Sequence, residues 1–116
     1  MLDAPHAGEL AGFYASLLGW TTMESDENWA RIGPTDGGRP GLSFQREPKF
    51  ETPTWPSRTD RQQMQVHLDI LVEDLGAAVA RAESLGARQA EYQPQDGVRV
   101  MLDPVGHVFD LFVADA

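Results

Sequence analysis

The chain contains no cysteine, which excludes a disulfide framework, a thiolate metal site and a cysteine nucleophile. No apolar run approaches the ~20 residues that a membrane-spanning helix needs. The N-terminus lacks the charged-then-apolar pattern of a secretion signal. A cytoplasmic protein with no membrane partner is therefore expected. Basic residues are scarce: nine Lys and Arg stand against eighteen Asp and Glu, for a formal net charge of −9. That balance argues against nucleic acid, because phosphate binding needs clustered Lys and Arg. It is compatible with a cationic ligand, although surplus acid also serves solubility alone. At 116 residues the chain is expected to form one domain, residues 1–116, with a real core.

What is present is ordered around Met64 to Val72, MQVHLDILV. Side chains of a strand alternate, so Val66, Leu68, Ile70 and Val72 share one face, which reads as core. Gln65, His67, Asp69 and Leu71 share the other, placing an imidazole and a carboxylate side by side. Upstream, Leu10, Phe13, Tyr14 and Leu17 make one apolar stripe of a helix from Ala7 to Leu18, with Gly19 at its C-terminal turn. Strands are expected at Trp20–Glu24, Trp29–Ile32 and Leu42–Gln45, separated by turn-forming runs. Residues 48–63 carry Pro48, Pro53 and Pro56 without a sustained period and read as a surface linker. After the organising strand a helix is expected from about Leu75 to Leu85, with Asp74 as N-cap. Strands at Ala87–Tyr92, Val98–Leu102 and His107–Val113 follow.

This is an internal repeat. A helix ending in Leu-Gly and followed by three strands occurs twice, at Leu18-Gly19 and at Leu85-Gly86. The expected fold class is α+β, two β-α-β-β-β units covering about 1–47 and about 64–116. Met1-Leu2-Asp3 is too short for a full strand, so the first strand of unit one is truncated. The faces without helices are expected to curve into a shared cup.

The pattern resembles the vicinal oxygen chelate superfamily, and within it the compact glyoxalase-like domains of bacteria (the glyoxalase/bleomycin resistance/dioxygenase fold). The matching residues are Glu9-Leu10-Ala11-Gly12-Phe13-Tyr14 and Leu17-Leu18-Gly19-Trp20 in the first half. In the second half they are Val66-His67-Leu68-Asp69, Leu85-Gly86-Ala87 and Asp103-Pro104-Val105-Gly106-His107, with Thr54-Trp55-Pro56 ahead of them. The resemblance implies a small-molecule ligand in the cup, a homodimer and, in its metal-dependent members, a divalent metal ion chelated by two neighbouring substrate oxygens. Metal ligands then come from the first and last strands of each unit. In this chain the matching positions are His67 and Asp110, the latter where the metal enzymes usually carry Glu. Ser43 and Gln45 stand where a carboxylate is expected, and the fourth position falls before Met1. Sequence upstream of Met1 is one place where the missing strand and ligand could lie.

Asp110 interrupts Val108-Phe109 and Leu111-Phe112-Val113, and a carboxylate there costs desolvation unless His67, Arg99 or an ion pairs with it. Asp69 either orients His67 or is simply solvated. Trp29 and Arg31 face away from Ala30 and Ile32, toward the cup, and Arg99 and Met101 are expected on the equivalent side. Trp29 either stacks on a planar ligand or covers the sheet edge. Trp55 reads as a lid or a dimer contact, and His6 and His107 as exposed. Two readings stay open: a metal-dependent lyase, isomerase or dioxygenase using His67 and Asp110, with Asp110 as ligand or base, and a metal-free protein that sequesters an antibiotic.

Overall fold

Each half of the chain folds as a strand, a helix and three further strands. The computed structural model describes residues 1–114. They divide into two units, Met1–Phe50 and Glu51–Ala116.

The first unit comprises β1 (Leu2–Ala4), α1 (Ala7–Leu18), β2 (Thr21–Ser25), β3 (Trp29–Gly33) and β4 (Leu42–Arg46). Its sheet has the order β1-β4-β3-β2. β1 runs parallel to β4, and the other pairs are antiparallel. The truncated first strand is thus present as three paired residues. The α1 stripe buries Leu10, Ala11, Phe13 and Tyr14. Tyr14 stacks on Phe44 of β4, with ring centroids 5.9 Å apart. Ala30, Ile32 and Phe44 are fully buried on that face. Gly19 ends the helix at φ 68°, in the left-handed region where a side chain would be strained.

The second unit repeats the arrangement with β5 (Leu68–Leu71), α2 (Leu75–Ser84), β6 (Arg88–Gln89), β7 (Val98–Leu102) and β8 (Val108–Phe112), in the order β5-β8-β7-β6. Asp74 caps α2, its carboxylate accepting the Ala77 amide at 3.0 Å. The organising strand is shorter than its apolar alternation predicts. β8 begins at Val108, and Leu68 already pairs with Phe109, so residues 64–66 have no ladder to join and Val66 is 77% exposed. β6 is also cut to two residues. Beyond it the Gln93 side chain does the work of a strand: its Nε2 donates to the carbonyls of Ala90 (2.8 Å) and Val100 (2.9 Å), and its Oε1 accepts the Val100 amide (2.8 Å).

The proline-containing segment, expected to be a linker, is packed from Glu51 onward into the second unit. Trp55, Met64 and Leu102 lie against Ala90, Val100 and Val108. The indole N–H of Trp55 donates to the Tyr92 carbonyl at 3.2 Å. Trp55 is therefore a cover for the sheet of its own unit. Asp103 is buried where the sequence showed only a turn, its carboxylate accepting the amides of Val105 and His107 at 3.0 Å each. His107 is accordingly half-buried rather than exposed.

Candidate functional site

The geometry of β5 and β8 assembles the polar cluster. In their parallel register Asp69 is the partner of Asp110, while Leu68 and Ile70 partner Phe109 and Leu111. Phe109 and Leu111 are buried on the opposite face, so Asp110 emerges from an apolar strand onto the face that α2 does not cover. His67, just ahead of β5, places Nε2 3.2 Å from Asp69 Oδ1 and 3.4 Å from Asp110 Oδ2. The imidazole and both carboxylates thus meet at one point. The Asp110 side chain is only 18% exposed, against 36% for His67 and 58% for Asp69.

That burial sets the electrostatics. Asp110 is raised from 3.8 to about 6, chiefly by loss of water around its charge, then by a hydrogen bond with Asp69; the His67 charge opposes the rise and the Asp69 charge adds to it. Of the two side chains expected to partner Asp110, His67 is in place and Arg99 is not. A small open cavity of about 260 Å³ adjoins the cluster, lined by Asp69, Asp110, Gln95, Val98 and Phe112. Gln95 was legible only as a turn residue.

The donor set fits a divalent cation. Among the described residues, His67, Asp69 and Asp110 form a group whose ligand atoms all lie within 4.8 Å of one another. Metal bonds of about 2.0–2.2 Å place neighbouring ligand atoms about 3.0–3.5 Å apart, and the separations of His67 Nε2 from the two carboxylates, 3.2 and 3.4 Å, fall in that range. One imidazole and two carboxylates suit a first-row divalent ion of intermediate softness.

Arg99 and Met101 do not face this cluster. Antiparallel partners point the same way, and Arg99 pairs with Leu111 and Met101 with Phe109. Met101 is fully buried. The Arg99 guanidinium instead ties down its own turn, donating to the carbonyls of Asp96 (3.0 Å) and Val98 (2.9 Å). The misleading signal was the apolar alternation of Val98, Val100 and Leu102. They are on the Asp110 face, where Val100 is buried with Trp55 and Met64 around it rather than beneath a helix.

In the first unit Trp29 pairs with Gln45 and Arg31 with Ser43, so these four candidates share the face away from Ala30 and Phe44. Glu24, which the sequence did not single out, organises two of them. Its Oε2 accepts the Trp29 indole N–H at 3.3 Å and lies 3.4 Å from Arg31 Nε. Gln45 Nε2 donates to Asp3 Oδ1 at 3.0 Å. The β1–β4 register makes Asp3 and Gln45 the counterparts of Asp69 and Asp110. The counterpart of His67, two residues before Asp3, is then Met1 itself.

The glyoxalase-like domain family matches residues 1–112. The chain belongs to that family. Solved structures of the glyoxalase/bleomycin resistance/dioxygenase group share the fold of this glyoxalase-like chain. A family enzyme from Burkholderia phytofirmans is 15% identical with a TM-score of 0.71, covering 97% of this chain and 94% of the other. A glyoxalase family protein from Enterococcus faecalis is 17% identical with a TM-score of 0.67, covering 96% and 91%. A fosfomycin resistance protein from Listeria monocytogenes is 12% identical with a TM-score of 0.69, covering 97% and 86%. At these identities the likeness is one of fold. No curated protein sequence matches the chain.

Proposed function

We propose that this glyoxalase-like domain binds a small molecule at a divalent cation held by His67, Asp69 and Asp110. The observation that carries the reading is the convergence of three ligand atoms within 4.8 Å beside an open cavity. A bound ion supplies Lewis-acid polarisation of neighbouring oxygens on the small molecule. The side chains divide the remaining tasks. His67 and Asp69, the more exposed pair, hold the outer side of the site, and Asp110 holds the inner. Val98 and Phe112 give the cavity an apolar wall, and the Gln95 amide offers both a donor and an acceptor to a polar ligand. Where no ion engages it, Asp110 is instead the group with proton affinity suited to general-base work near neutral pH. A homodimeric, cytoplasmic bacterial protein completes the proposal.

The test is metal analysis and calorimetry on protein purified without a histidine tag. Manganese, nickel or zinc chloride is expected to bind at one site and raise the melting temperature, with both effects lost in His67→Ala. Absence of a stoichiometric ion, with no thermal response to added ions, would sink the reading.

A second reading rests on Trp29, which is 38% exposed beside the Glu24 carboxylate. A ring with an adjacent negative charge suits a planar cation, as in metal-free sequestration of an antibiotic. Quenching of Trp29 emission by planar cationic compounds, absent in Trp29→Phe, is its expected signature.

A further inference from the structure

The first unit carries a second cavity whose chemistry is opposite to that of the His67 cluster. It measures about 520 Å³ and is lined by Arg31, Arg39 and Ser43 together with the glycine-rich turn between β3 and β4. Only nine basic residues exist in this chain of net charge −9, and two of them converge here. Among the described residues no ion pair engages Arg39, which is exposed on the turn. Arg31 is held only at Nε, by Glu24 at 3.4 Å. The Asp36 carboxylate, on the same turn, accepts the Gly38 amide through Oδ1 at 2.8 Å.

Two glycines set the path of the turn. A side chain at Gly41 would come within 2.8 Å of the Ile32 carbonyl, so the chain can pass that close to β3 only as glycine. Gly37 sits at φ 80°, a conformation that side chains rarely adopt. Met23, at the bulge between Thr22 and Glu24, supplies an apolar side to the same space.

We infer that this cavity is a binding site for the anionic group of a small molecule, a phosphate or a carboxylate, held by Arg31 and Arg39 with the Ser43 hydroxyl as a further donor. Guanidinium groups pair with such oxyanions through two parallel hydrogen bonds, and two of them around one concavity select charge and shape together. The site lies wholly within the first unit and stands whether or not the second unit holds a metal. Glu24 links it to a reporter. An oxyanion that draws Arg31 away from Glu24 alters the acceptor of the Trp29 indole N–H.

The experiment is a nuclear magnetic resonance titration of the full chain with inorganic phosphate, repeated with acetate, at constant ionic strength. Saturable shifts are expected at Arg31 Nε, at the Gly37 and Gly41 amides and at Trp29 Nε1. Arg39→Gln is expected to weaken binding at least about tenfold, whereas Arg58→Gln, altering an exposed arginine paired with Asp60, leaves it unchanged. Response to phosphate alone, or to acetate as well, identifies the anion class. The inference is overturned if neither ion gives saturable shifts, if shifts spread over all basic residues, or if Arg39→Gln and Arg58→Gln behave alike.

Discussion

Asp69 and Asp110 are direct partners in the parallel pairing of β5 and β8, with one imidazole nitrogen of His67 within 3.4 Å of both. Two carboxylates held this way repel when both are charged, and they relax by sharing a proton, by pairing with His67 or by binding a cation. The consequences can be measured.

Asp110 opposes folding at neutral pH. Its folded value of about 6 lies above the 3.8 of an ordinary aspartate. Its contribution to stability is therefore fully present below pH 3.8 and is lost as pH rises through 6. Asp110→Asn removes the charge, and at pH 8 and low divalent ion it is expected to stabilise the fold by about 1–3 kcal/mol. At pH 5 the gain is expected to shrink or reverse. Urea unfolding at the two pH values checks this.

Asp69 is the nearer control on that proton. It raises Asp110 both by a hydrogen bond and by its charge. In Asp69→Ala the Asp110 value is expected to fall from about 6 while staying above 3.8, because burial, the largest cause, is untouched. Carboxyl-carbon titration by nuclear magnetic resonance reads the shift directly. An unchanged Asp110 curve would show that the two carboxylates do not communicate.

Trp55 is expected to matter for stability and not for the polar cluster. Trp55→Ala uncovers Ala90, Val100 and Val108 and removes the hydrogen bond to Tyr92. A loss of about 2–3 kcal/mol follows for a partly buried indole. Divalent-ion affinity, measured by calorimetry on the folded variant, should change little.

Gln93 is expected to behave as a structural residue despite its polar side chain. Gln93→Leu removes three hydrogen bonds and leaves the Val100 amide without its partner. The cost is on the order of 1–3 kcal/mol. Faster amide exchange at Val100 is the local signature.

The helices were legible because their apolar stripes, the Asp74 cap and the Gly19 turn all act within one or two turns of chain. Strand ends were less so. β5 starts at Leu68 because β8 reaches only one residue further out, to Val108, and that limit is set by residues some forty positions later in the sequence. The facing of β7 failed for a related reason. Alternating Val98, Val100 and Leu102 announces burial but not what buries them, and here a segment read as a linker does so. His67 and Asp110 stood out as a histidine and an acid in apolar strands. Glu24 and Gln95 did not, since an acid beside a turn and a glutamine within one have no distinguishing pattern.

The cover formed by Trp55 and Met64 divides one sheet face into a dry half around Val100 and Val108 and a wet half around Asp69 and Asp110. Apolar burial is concentrated in the first and titratable side chains in the second. Substitutions in the wet half are therefore expected to change its charge and polarity at less cost to the fold than substitutions in the dry half.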